Sequence, residues 1–177
     1  TGFAADEGFL YVPFEMGFAR SDDGGTTWGG VATRWPWEPF TSSRGATFRN
    51  VLAAADGHVY AATARSGLYR ARHGQTDWDL VGVAEHPAPW RMAAAGGHVV
   101  AATGGEAFVT SDADNVWRRS PLSATYSGGI VSDGRSVYVG THFEGLRGSS
   151  DGGRTWTGSD FAGASVLATC AFDGVVY

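Results

Sequence analysis

One cysteine, Cys170, stands in a chain of 177 residues. A lone thiol cannot build an internal disulfide framework, and no Cys/His spacing resembles a zinc site. "DADN" from Asp112 also lacks the glycine and the closing glutamate of a calcium loop, so neither a metal nor a cofactor is expected from motif spacing. Charge is sparse as well: Asp, Glu, Lys and Arg make up 18% of the chain, against a usual share of about 25%. The formal net charge is -5 and the arginines form no cluster. A nucleic-acid partner needs a concentrated basic surface, so none is expected. Apolar runs are short and broken by glycine, well under the roughly 18 residues of a membrane span. No stretch therefore inserts in a bilayer, and few stretches look helical.

Glycine is what the chain has in excess. Its 27 glycines are about double the usual share of roughly 7%, which points to many tight turns. A length of 177 residues suits one compact body with a substantial core.

The turns recur. "DEGFLYVPF" from Asp6, "DGHVYAAT" from Asp56, "GGHVVAAT" from Gly96, "DGRSVYVGT" from Asp133 and "FDGVVY" up to Tyr177 each place a short turn between apolar runs. Asp-Gly between alternating apolar runs is the strongest short-range hairpin signal, because both residues tolerate positive φ. Trp28, Trp78, Trp117 and Trp156 close successive units at separations of 50, 39 and 39 residues. A period near 40 residues with four strands per unit is the sequence mark of a β-propeller, in which each blade is covered on both faces by its neighbours. The fold class is therefore all-β, a propeller of four-stranded antiparallel blades with about four and a half blades present. Residues 1–177 form one propeller segment, with units at about 1–40, 41–84, 85–122 and 123–161 and a partial unit at about 162–177. Small residues at Ala53 to Ala55 and Ala93 to Ala95 suit the crowded innermost strand.

Two octets stand out. "SDDGGTTW" (Ser21 to Trp28) and "SSDGGRTW" (Ser149 to Trp156) share Ser, Asp, Gly, Thr and Trp at identical spacing, while "ARHGQTDW" (Ala71 to Trp78) and "TSDADNVW" (Thr110 to Trp117) are degenerate copies. Ser and Asp side chains satisfy turn backbone, glycine supplies positive φ, and tryptophan packs its ring on the sheet. The pattern resembles the Asp-box, or BNR repeat, of sialidase-like, xyloglucanase-like and sortilin-like propellers. The resemblance implies that the octets are structural corners away from the ligand face. "GSSDG" around Ser150 imitates a nucleophile elbow, but no helix follows it.

The resemblance also places ligands at the end that carries the loops between second and third strands and the connections between blades. Those positions hold Glu15, Arg65, Glu106, His142 and Glu144, with Trp35, Trp37, Trp90, Arg91 and Tyr126 on the connections. Aromatic, arginine and glutamate side chains together suit sugars, whose C–H faces stack on rings while hydroxyls bond to charged groups. Trp35 and Trp37, on a path stiffened by Pro36 and Pro39, read equally as a plug against the next blade. A glycosidase needs two carboxylates about 5 to 10 Å apart. Glu106 and Glu144 occupy matching loops of consecutive units, and Asp22 matches a catalytic aspartate in the segment that "ARSDDGG" resembles in xyloglucan-degrading enzymes.

Three functions follow from this reading. The first is a binding module that presents an aromatic, loop-rich face to a glycan or protein partner. The alternatives are a glycoside hydrolase with paired carboxylates, and an assembly or sorting factor that grips a protein. Closure removes the edges of such a fold, so the expected partners include the remaining blades of a longer propeller of about six to eight blades, or a second copy.

Overall fold

The computed structural model describes residues 3–14, 17–31, 51–55, 57–63, 67–75, 77–82, 91–102, 106–111, 117–122, 126–158, 161–172 and 174–177. The chain forms two compact units, Thr1–Ala88 and Pro89–Tyr177. All regular structure among the described residues is strand.

The first unit holds two four-stranded sheets in simple meander order. One comprises β1 (Ala4–Asp6), β2 (Phe9–Phe14), β3 (Gly17–Ser21) and β4 (Gly29–Val31). The other comprises β5 (Val51–Ala55), β6 (His58–Thr63), β7 (Gly67–Arg72) and β8 (Asp79–Gly82). The second unit repeats the plan with β9 (Arg91–Ala95), β10 (His98–Ala102), β11 (Ala107–Ser111) and β12 (Arg118–Arg119). Next come β13 (Tyr126–Ser132), β14 (Val137–Thr141) and β15 (Leu146–Ser149). Among the described residues, the place of a fourth strand in that sheet is marked by one bridge, Gly148 to Thr157. A two-stranded sheet, β16 (Ala171–Phe172) and β17 (Val175–Val176), follows. Every pairing is antiparallel, as hairpin connections demand.

Short turns set the register. Glu7 and Gly8 both have positive φ, 49° and 85°, and Asp6 pairs with Phe9, so two residues close the β1–β2 hairpin with the twist that adjacent strands require. Along β10 the residues from Val99 to Ala102 are all buried, the signature of a strand covered on both faces. The core of the first unit gathers Ala4, Tyr11, Phe18, Val59, Tyr69 and Trp78. That of the second gathers Ala93, Val100, Val109, Ile130, Val137 and Val139, with Trp156 packed against it.

Both complete octets are hydrogen-bonded corners. Asp23 accepts from the Thr27 amide at 2.8 Å and from its hydroxyl at 2.6 Å, while Ser21 Oγ donates to Asp23 at 2.8 Å and accepts from the Gly25 amide at 2.8 Å. Asp151, Thr155, Ser149 and Gly153 repeat the scheme at 2.9, 2.8 and 2.7 Å, with the Thr155 hydroxyl at 2.5 Å. In each, the indole N–H donates to the glycine carbonyl three residues back. The hydrogen bonds from Thr27 hold the Asp23 carboxyl down at about 2, and those from Thr155 depress Asp151 further. The corners differ in surroundings. Gly152 and Gly153 sit against His98, Val109 and Val100 of the preceding sheet, and Ser120 Oγ donates to the Gly153 carbonyl while accepting from Trp156 Nε1, both at 2.7 Å. Trp28, by contrast, is 44% exposed, although its ring was expected to pack on a sheet, and a Cβ on Gly24 would meet nothing within 4 Å.

Candidate functional site

In an antiparallel meander the turns alternate between the two ends of the sheet. The β1–β2 and β3–β4 turns share one end, and the β2–β3 loop lies at the other. Asp22 is therefore at the corner end, exposed and 3.6 Å from Arg20, on the opposite end of its sheet from the close of β2 at Phe14. Glu15, Trp35, Trp37, Arg65 and Trp90 lie outside the described residues. Arg91 opens β9 opposite Ala102 and is exposed. Glu106 precedes β11 and is ion-paired with Arg119. Tyr126 opens β13 opposite Thr141, directly before His142 and Glu144.

The second unit thus brings Tyr126, His142 and Glu144 to one loop-bearing end. Thr141 closes the turn of residues 142–145: its amide and its hydroxyl both donate to the Gly145 carbonyl, at 2.9 and 2.7 Å. The connection from residue 161 onward is laced to that turn. The Gly163 amide donates to the Phe143 carbonyl at 2.9 Å, the Gly145 amide to the Ala164 carbonyl at 3.1 Å and the Val166 amide to the Thr141 carbonyl at 3.1 Å. Ser165 Oγ accepts from the Phe143 amide at 3.3 Å and lies 2.9 Å from His142 Nδ1. Behind these contacts, the backbone of residues 166–169 lies against the glycines of β13 and β14: a Cβ on Gly140 would come within 2.9 Å of the Val166 carbonyl oxygen.

At the centre is Phe143, in the left-handed region at φ 65°. A bulky residue adopts that conformation only where its surroundings over-determine it, and here the backbone bonds on both sides do so. The ring is held outward, 65% exposed, and Phe161 on the neighbouring strap is 60% exposed. The His142 ring lies 4.1 Å from that of Phe143. Glu144 is tied to Arg147 at 2.8 Å. The result is an exposed aromatic surface on a hydrogen-bonded backbone, rimmed by an imidazole, a hydroxyl and an ion pair. It can stack on an apolar face while hydrogen-bonding to polar groups beside it. Phe161, Ser165 and Arg147 were not among the residues singled out by sequence. Gly163, the break in "FAGAS", was the available sign of a loop there.

No protein family matches the chain, and no curated protein matches it. Solved structures do. PorZ, a surface component of the type-IX secretion system of Porphyromonas gingivalis, superposes with a TM-score of 0.67 at 15% identity, over 97% of this chain and 22% of its own. A GH74 enzyme from Niastella koreensis gives 0.59 at 16% identity, over 88% and 23%. YCF48 bound to D1 peptide gives 0.58 at 16% identity, over 96% and 57%. This chain therefore spans less than a quarter of the first two and little more than half of the third. At these identities the likeness speaks for fold alone: the antiparallel sheets described here are the blades of an all-β propeller.

Proposed function

We propose that this chain is an Asp-box propeller module that binds a glycan or protein partner through its loop-rich end, without cleaving it. The observation that carries the reading is Phe143, whose backbone is held in the left-handed region by hydrogen bonds from a neighbouring strap while its ring is exposed. A backbone already ordered loses little further freedom on binding, and the exposed ring offers a face for stacking. Glu106 and Glu144, the carboxylates a hydrolase would draw on in this unit, are each engaged by an arginine, a role that fits a hydrogen-bonding rim. The two ligand classes are those that fold neighbours illustrate: one is a xyloglucanase, another is bound to a peptide. The open face around Trp28 supports a further blade as neighbour, from a longer chain or a second copy.

A glycan-array screen run beside hydrolysis assays on the same glycans tests this, with Phe143→Ala as the control. Binding without turnover, lost in the variant, is expected. Turnover that disappears on removing Glu144 or Asp22 would replace the reading with a glycoside hydrolase, and silence in both assays would move the ligand to the protein class.

A further inference from the structure

Two positions of the first unit break the repeat, and the fold brings them together. The third octet residue is Asp23 or Asp151 in the complete copies, but His73 in Ala71 to Trp78. The first strand ends in Ala55, Ala95 or Ser132 in the second, third and fourth sheets, but in Asp6 in the first. His73 Nε2 lies 2.9 Å from Asp6 Oδ2, which also accepts the Gly57 amide at 3.0 Å. Its Nδ1 is 2.7 Å from the Tyr11 hydroxyl. The imidazole stacks on Phe9 at 4.8 Å, and its side chain is only 5% exposed. Beside it, Glu7 projects from the left-handed hairpin position, so that one donor atom each of Asp6, Glu7 and His73 lie within 4.8 Å of one another.

We propose that Asp6, Glu7 and His73 form a binding site for a divalent transition-metal ion of the zinc class. The donors are one imidazole and two carboxylates, the borderline set that Zn²⁺ accepts with a water in the fourth position. Ca²⁺ prefers six to eight oxygens and Mg²⁺ an octahedral shell of them, so three donors including a nitrogen select against both. Sequence spacing could not reveal the set, because 67 residues separate Asp6 from His73.

The outer shell is already built. A metal-bound histidine needs its other ring nitrogen held by an oxygen partner, and ligating carboxylates need hydrogen bonds of their own. Tyr11 and the Gly57 amide supply these. In the metal-free chain the imidazole bridges Asp6 through Nε2 and the Tyr11 hydroxyl through Nδ1. With a metal on Nε2, the ring proton resides on Nδ1 and donates to the Tyr11 oxygen. The Nε2 to Oδ2 separation must open from 2.9 Å to about 3.3 Å, the edge of a tetrahedron with bonds of about 2.0 Å, and the Asp6 carboxylate must swing off the Nε2 axis that the metal takes. Glu7 is exposed and can close from the solvent side.

Titration of the chain with Co²⁺ tests the site through its d–d absorption, with Zn²⁺ as competitor and Ca²⁺ as control. A tetrahedral Co²⁺ spectrum displaced by Zn²⁺ and not by Ca²⁺ is expected. Glu7→Gln should weaken binding at least about tenfold, and His73→Gln should abolish it. Glu7→Gln alters an exposed side chain, so it keeps the test decisive if His73→Gln disturbs folding, which circular dichroism reports. An absent spectrum would overturn the assignment, and unchanged affinity in either variant would do so too, leaving an ion bound adventitiously to other histidines.

Discussion

Alanine at Gly24 and alanine at Gly152, made one at a time, separate what an octet corner needs from its own backbone and what it needs from its surroundings. The two glycines hold the same octet place at φ of 70° and 71°, so the penalty for a Cβ in the left-handed region, about 1–2 kcal/mol, applies equally to both. Their environments differ. At Gly24 the new methyl meets nothing within 4 Å, whereas at Gly152 it is driven into His98, whose Cβ would be 2.8 Å away with the ring closer still. Contact with Cβ cannot be relieved by rotating the ring alone, so backbone or sheet must yield, and overpacking of that kind adds about 1–3 kcal/mol. Gly24→Ala should therefore cost about 1–2 kcal/mol, and Gly152→Ala about 2–5 kcal/mol. Urea unfolding followed by circular dichroism measures both. In a His98→Gly background, which removes the Cβ together with the ring, the excess at Gly152 should fall toward the Gly24 value. Equal costs in the parent chain, or an excess that survives removal of His98, would refute the claim that the second corner is seated on the preceding sheet.

Three further outcomes follow from hydrogen bonds and ionisation. Ser120→Ala removes two buried bonds but leaves Trp156 Nε1 on the Gly153 carbonyl, so it should cost about 1–2 kcal/mol, seen as a fall of several degrees in the thermal midpoint. The Asp23 carboxyl, lowered to about 2 chiefly by Thr27, adds stability that is complete above the ordinary carboxyl value of about 3.9 and is lost as pH falls through about 2. The Thr27 amide resonance should titrate with that low midpoint, and one near 4 would contradict the corner geometry. Burial pushes the Tyr11 phenol up to about 12, against the lowering effect of nearby Arg20. Its contribution to stability is thus present below about 10 and lost as pH climbs from there to about 12, and tyrosinate absorbance should show a last step that Tyr11→Phe removes.

Where the chain obeyed a local rule, the sequence was enough to read it. Asp-Gly and Gly-Gly pairs between alternating apolar runs mark hairpins because turn chemistry is decided by the two residues in the turn, and the observed strands flank them. The octets are legible for the same reason: all of their internal partners lie within four residues. What was not legible depends on residues far away in the chain. Trp28 and Trp156 end octets that differ only at their second and sixth residues, yet only Trp156 finds a serine hydroxyl 36 residues away. Phe143 carries no mark of its left-handed backbone, because that conformation is imposed by a strap twenty residues downstream. His73 was visible as a departure from the octet, but its partners at Asp6 and Tyr11 emerge only once two sheets pack. The departures therefore carry more about function than the repeats do. A position that keeps the octet aspartate is already explained by its own turn. One that gives it up, as His73 does, loses the hydrogen bonds that hold the corner and must be compensated through contacts made elsewhere. In this chain that loss coincides with three metal-competent donors meeting at one sheet corner, and it is at such breaks in a repeated scaffold that chemistry is to be sought first.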